Sequence, residues 1–245
     1  MKDQTILNDA EMSDLEKYFF SKKGREMVKF VQHIHRYDRY LSRFRNKEVL
    51  LVELGVGQGG SLQMWKEYLG EKATIVGIDK NDYKEVEEER ISVIIGDETN
   101  DDFLKSITTK FPKIDILIDD GSHEPVDQIH AFEFLYPCLA DDGLYACEDL
   151  YHSYTEKHGG GFRRKGSTIE FFKDLIDNIH CNIGENQISY KDNAYSSISG
   201  ISFYQNIAFI ENAKGELRHA MRRGNILLST TPPYRIKANG ERETI

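Results

Sequence analysis

Cysteine is scarce in this 245-residue chain, and Cys138, Cys147 and Cys181 form no Cys-x-x-Cys pair. An odd set of scattered thiols argues against a disulfide framework or a cysteine-held zinc, and reads as reduced thiols in a cytoplasmic protein. Long apolar runs are missing too, so no stretch reads as a membrane helix. The opening Met1-Lys2-Asp3-Gln4 leads into a charged segment rather than a signal peptide. Basic charge is in deficit: 32 Lys and Arg face 41 Asp and Glu, a net charge of −9. That disfavours a general nucleic-acid binder, which needs a basic face. Internal repeats and low-complexity tracts are absent. What remains is a chain long enough for a sizeable core.

The chain is organised around Ile114-Asp115-Ile116-Leu117-Ile118-Asp119-Asp120-Gly121-Ser122-His123. A short apolar run ends in two carboxylates, a turn and a histidine, which is how a buried strand delivers chemistry at its C-terminal end. Gly143–Cys147 repeats the pattern and ends in Glu148-Asp149. The spacing from Asp120 to Glu148 fits one strand–helix–strand unit, which brings the two strand tips together. Acids and an imidazole at adjacent tips suggest a divalent metal with a base beside it.

Further strands are read over Val49–Leu54, Thr74–Ile78 and Ile91–Ile95, with helices over Ser61–Tyr68, Asn100–Lys110, Pro125–Tyr136 and Ser167–Ile179. Ser199–Tyr204 and Ile207–Glu211 read as a closing antiparallel pair. Strands alternating with helices predict a doubly wound, Rossmann-like α/β sheet, mostly parallel with an antiparallel C-terminal strand. Residues 1–245 are expected to form one domain: an N-terminal helical segment (about 9–45), a core (about 48–211) and a basic tail (212–245). In the helical segment, Met27, Phe30, Val31, Ile34, Tyr37 and Leu41 fall at helical spacing, with a break near Gly24. This aromatic face makes a homo-oligomer the expected assembly. His33 and His35 there read as packing or surface residues. Tyr151–Lys165, rich in glycine, reads as a mobile loop over the site.

Gly55, Gly57 and Gly60 satisfy the dinucleotide pattern, with Asp79 at the distance suited to a ribose. NAD therefore competes for this loop. Glu53, two residues before Gly55, tips the reading toward S-adenosylmethionine (SAM). A carboxylate there repels a pyrophosphate but suits a sulfonium and an amino group. Asp79 then takes the ribose hydroxyls, and Asp97 lies near the adenine amino group.

The segments Val52–Leu62, Gly77-Ile78-Asp79, Ile118–His123 and Tyr145–Tyr154 together resemble the class I SAM-dependent methyltransferases, specifically the metal-dependent sugar O-methyltransferases. The resemblance covers about residues 27 to 211. It implies SAM held by Glu53, Gly55, Gly57, Gly59, Ser61, Asp79, Asp97 and Asp119. It implies Mg2+ held by Asp120, Glu148 and Asp149, with His123 as general base. His152 stands where the family often has threonine; with Tyr154 it is expected on the acceptor side. The implied substrate is a small-molecule sugar, nucleotide-linked or glycosidic, with neither nucleic acid nor membrane as partner. A catechol-type O-methyltransferase is the nearest alternative.

Overall fold

The protein is described here as a computed structural model covering residues 12–180, 195–213, 234–236 and 241–244. Two N-terminal helices come first, α1 (Asp14–Ser21) and α2 (Val31–Leu41). The core then alternates: β1 (Val49–Leu54), α3 (Gly60–Leu69), β2 (Ala73–Asp79), β3 (Ile91–Ile95), α4 (Asp101–Lys110), β4 (Ile114–Asp119), α5 (Pro125–Leu135) and β5 (Leu139–Glu148). After α6 (Thr168–Asp174) and α7 (Ile176–His180) come β6 (Ile198–Tyr204) and β7 (Ile207–Asn212). The seven strands form one sheet in the order β3-β2-β1-β4-β5-β7-β6, parallel through β5, with β7 antiparallel to both β5 and β6. This is the expected architecture, closed by an antiparallel pair.

Each face of the sheet carries its own core. Leu51, Ile116, Ile118, Leu144 and Ala146 pack on one side with Ile34, Tyr37, Leu41 and Trp65 of α2 and α3. Val52, Leu54, Leu117, Tyr145 and Cys147 pack on the other with Leu104, Phe132 and Phe172 of α4, α5 and α6. Side chains alternate along a strand. Glu53 therefore shares the α2 face with Leu51, and Glu148 shares it with Ala146, whereas Asp119 falls on the α5 face beside Tyr145.

Three expectations change. The N-terminal segment is two helices rather than a near-continuous run, and residues 22–30 between them are not helical. Gly60 shows why this stretch lies where it does: a Cβ there would strike the Glu26 carbonyl oxygen at 2.3 Å, so backbone packs directly on the start of α3. The inward face of α2 is also rotated. His33 is fully buried, while Phe30 and Val31 are 45% and 49% exposed. Residues 151–165, expected to be mobile, fold into 3₁₀ turns at Leu150–Tyr154 and Glu156–His158. Backbone bonds from Gly160 N to Thr155 O and from Gly161 N to Ser153 O tie them down.

Of the basic tail, 234–236 and 241–244 are described beyond residue 213; Tyr234–Ile236 and Arg242–Thr244 pair as short antiparallel strands β8 and β9. Lys214, Arg218, Arg222, Arg223 and Lys237 lie outside the described residues, as does Cys181. Among the described residues, no helix is long and apolar enough to cross a membrane.

Candidate active site

The registers Leu54↔Asp119 and Asp119↔Cys147 set the tips of β1, β4 and β5 level, so Gly55, Asp120 and Glu148 emerge side by side. Crevices outside the carboxyl ends of parallel strands are where such sheets bind ligands. Gly55 adopts φ +88°, and a Cβ on it would sit 2.1 Å from the Asp120 carbonyl oxygen. Only glycine lets the β1 loop lie against the β4 tip this closely. A cavity of about 530 Å³ opens there, and its lining includes Lys29, Gly57, Ser61, Asp79, Asp120, His123 and Asp149.

Asp79 braces the glycine loop by accepting from the Val56 amide at 3.0 Å, while its other oxygen accepts from Asn81. Beside it a second cavity, of about 250 Å³, is lined by Asp79, Asp97, Glu98 and Asp127 among others. Asp97 is exposed there, and Thr99 holds its carboxyl below the usual range through a backbone and a side-chain hydrogen bond. Glu98, not singled out from sequence, accepts from the Ser122 amide at 2.7 Å and so fixes the turn that carries His123.

Glu53 does not line the cavity. It is fully buried beneath the loop, accepting from Ser61 Oγ at 2.8 Å, with Lys29 Nζ 3.4 Å away. Asp119 is likewise buried, one oxygen accepting from the Tyr145 hydroxyl at 2.9 Å and the other without a partner. Burial first, then Glu98, pushes its carboxyl up to about 8. The folded chain thus keeps a proton that the unfolded chain releases near pH 4. The stability linked to that proton is complete below pH 4 and is lost as pH rises toward 8. Asp119→Asn should accordingly gain in melting temperature on the native protein as pH rises from 5 to 8.5. A constant gap across that range would show that Asp119 is ionised throughout.

The strongest electrostatic feature was not foreseen. Lys29 Nζ, buried, lies 2.5 Å from Asp120 Oδ2 and 2.5 Å from Glu148 Oε1. Glu148 also accepts from the Tyr37 hydroxyl at 2.7 Å, and its Oε2 lies 3.3 Å from His33 Nδ1. Burial alone would raise the Glu148 carboxyl; Lys29, with His33 and Tyr37, outweighs it and holds it at about 2. Burial likewise opposes the charge on Lys29, yet Asp120, Glu148 and Glu53 together keep it firmly protonated.

Asp120, His123 and Asp149 each offer a ligand atom within 4.8 Å of the others. Glu148 is not in this group, because its oxygens face Lys29, His33 and Tyr37. His123 (φ +62°) and Asp149 (φ +54°) both hold left-handed backbone, a cost that concentrates at functional sites. His123 Nε2 lies 3.5 Å from Asp149 Oδ2, while Nδ1 is buried without a hydrogen-bond partner. Burial lowers the His123 pKa against the pull of Asp149 and Glu148, so its imidazole is neutral at pH 7.

The donor chemistry fits a hard cation. Glu53, Asp120 and Glu148 crowd round one ammonium with Asp149 beside them, and burial together with Glu148 and Glu53 raises the Asp120 carboxyl well above the usual range against the pull of Lys29, a repulsion that a divalent cation would relieve. Carboxylate oxygens facing a cavity suit magnesium.

Of the expected acceptor-side residues, Tyr154 is half exposed and lines a separate cavity of about 610 Å³ with Phe30, Tyr151, Phe203 and Tyr204. His152 does not line it; its buried ring lies between His123 and His158. The two cavities are nonetheless contiguous in the chain: Lys29 lines one and Phe30 the other, Asp149 one and Leu150 the other.

No family model matches the chain. It is 32% identical over 217 residues to mycinamicin VI 2''-O-methyltransferase of Micromonospora griseorubida, covering 84% of this chain and 53% of that protein. It is 31% identical over 212 residues to demethylmacrocin O-methyltransferase of Streptomyces fradiae, covering 82% and 53%. The chain thus spans about half the length of the curated relatives it matches. Among solved structures, the MycE methyltransferase of the mycinamycin biosynthetic pathway, in complex with Mg and SAH, superposes with a TM-score of 0.70 at 33% identity, covering 82% of this chain and 54% of that one.

Proposed function

Related over 84% of its length to a sugar O-methyltransferase, and folded like the mycinamycin-pathway enzyme, this chain is, we propose, a SAM- and magnesium-dependent O-methyltransferase acting on a sugar hydroxyl. The observation that carries the reading is the meeting of Asp120, His123 and Asp149 at the mouth of the glycine loop. When bound, SAM supplies the methyl group, and magnesium supplies the charge that favours a deprotonated acceptor. The chain's own residues do the rest.

His123 takes the acceptor proton. Asp149, 3.5 Å from Nε2, orients the imidazole ring for that transfer. Asp120 and Asp149 hold the metal, and Glu148 completes the acidic set from behind, orienting Lys29. The ribose hydroxyls fall to Asp79. Gly57, Gly59 and Ser61 shape the loop, Glu53 biases it from below toward a cationic cofactor, and Asp97 edges the adenine side. Displacement at a methyl group needs acceptor oxygen, carbon and sulfur in line, so positioning dominates catalysis. The aromatic walls at Phe30, Tyr151, Tyr154 and Phe203 suit the apolar face of a glycoside. An acceptor sugar on a small-molecule carrier, a cytoplasmic location and 1–245 working as one domain are part of the same proposal. A homo-oligomer belongs to the same proposal, supported by the exposed Val28, Phe30 and Val31.

The deciding experiment incubates the protein with SAM and a panel of glycosides and nucleotide sugars, with and without magnesium. Mass spectrometry should find one added methyl in the presence of magnesium alone. No methylated product anywhere in the panel, with SAM unbound, would overturn the reading.

The cofactor has its own test. S-adenosylhomocysteine at about 100 times its Kd should stabilise the fold by about 2.7 kcal/mol through mass action. Asp79→Ala should shrink that shift, since it removes both the ribose partner and the brace on Val56. A shift produced by NAD and not by S-adenosylhomocysteine would return the loop to the dinucleotide reading.

A further inference from the structure

Next to the oxygen-rich cluster stands a second group of different chemistry. Glu124, His152 and His158 each offer a ligand atom within 4.8 Å of the other two. His158 Nδ1 lies 2.6 Å from Glu124 Oε1, and the His152 ring lies against that of His158 with centroids 3.9 Å apart. The Glu124–His158 contact accounts for two members of the group. It leaves the third unexplained: His152 is only 8% exposed, and its Nδ1 is buried without any hydrogen-bond partner. A buried polar atom left unpaired is costly, and native structures rarely keep one without a reason.

We propose that Glu124, His152 and His158 form a binding site for a divalent transition-metal ion of the zinc type, separate from the magnesium site. Two imidazoles and one carboxylate are a borderline-soft donor set, whereas Asp120 and Asp149 present oxygen. The two sites therefore sort ions by ligand chemistry.

The frame that holds the three side chains is built from backbone. Glu124 is the residue that precedes the first turn of α5. His152 donates its amide to the Asp149 carbonyl and accepts from the Thr155 amide. The chain then folds back, with His158 N bonded to Thr155 O at 2.9 Å. A Cβ on Gly160 would meet the His152 carbonyl oxygen at 2.3 Å, so glycine is what allows His158 to be laid over His152. Zinc–ligand bonds of about 2.0–2.2 Å draw ligand atoms closer together than 4.8 Å. Loading thus requires the two rings to open from their stack and turn their edges to the ion. Gly159, at φ +71° with open space around it, follows His158 and gives the turn room to adjust. Tyr151 and Tyr154, which flank His152 in sequence, line the aromatic cavity, so an ion here would fix one wall of that cavity.

The test uses the full chain stripped with chelator, reloaded with Zn2+ in millimolar Mg2+, dialysed, and assayed for metal by atomic emission. The native protein should retain one zinc per chain. His158→Ala and Glu124→Gln should each weaken zinc binding by at least the about 10–100-fold that even outer-shell partners are worth. Glu124→Gln changes one partly exposed side chain and guards against misfolding of the histidine variant. Asp120→Asn should leave zinc retention intact. Cobalt substituted for zinc should give visible absorption bands that vanish in His158→Ala. The proposal fails if the native protein retains no zinc. It fails equally if zinc is lost in Asp120→Asn while His158→Ala and Glu124→Gln keep it, for the ion then belongs to the first site.

Discussion

His123→Ala should lower turnover by about 10²–10⁴-fold, the range of a positioned general base, while magnesium and S-adenosylhomocysteine still bind. Asp120→Ala should fail differently. It removes a metal ligand and a partner of Lys29, so its metal affinity should fall, with activity partly recovered by raised magnesium. The pH profile separates the two roles further. Burial keeps His123 below the ordinary histidine range, so the acid limb of kcat/KM should lie below about pH 6.5 and should disappear in His123→Ala. The neutral base is present above that pKa and lost below it. Steady-state rates across pH, with calorimetry for metal and cofactor, decide the matter. A near-full rate in His123→Ala would move the base elsewhere.

Lys29→Met should carry a large cost in stability, because Lys29 is buried among acids. Removing one partner of a buried ion pair costs about 3–5 kcal/mol, because the remaining charge stays buried. Here three carboxylates lose their shared ammonium. For a domain of this size the expected fall in Tm is on the order of 10 °C. Magnesium should restore more of it in the variant than it adds to the native protein, since a divalent cation can neutralise the vacated acids. Melting curves in chelator and in magnesium measure both effects. An unchanged Tm in chelator would mean that Lys29 is not held among these acids.

The sheet was legible because its strands are short apolar runs with acids or glycine at their ends. Val49–Leu54 and Ile91–Ile95 coincide with the observed strands, and the organising stretch from Ile114 opens with one. Period-two alternation, carried one step further, also separates Asp119 from Asp120 and places Glu53 with Glu148. What sequence spacing missed was the far side of the site. Lys29, His33 and Tyr37 recur every four residues, and all three reach Glu148. Read as an apolar stripe, the same segment put Phe30 and Val31 inward and His33 aside. Local periodicity counts hydrophobic positions; it does not register a buried carboxylate 111 residues away that needs donors. The turns of 151–165 were missed for a similar reason. Their glycines permit many conformations, and the packing of Gly160 on His152 and Ser153, with the backbone bonds from Gly160 and Gly161, selects one.

The close approach of Gly60 to the Glu26 backbone carries a lesson for anyone building hybrids from such chains. The glycine loop is not a portable cassette. Its outer surface rests on residues 25–29, and the same stretch delivers the ammonium that quiets the strand tips. A transplant of β1 through α3 without its own N-terminal approach would set Gly60 against a foreign chain and strand three acids in the interior. Crossover points for recombination therefore belong upstream of α1 or beyond β7, where strand, loop and approach travel together.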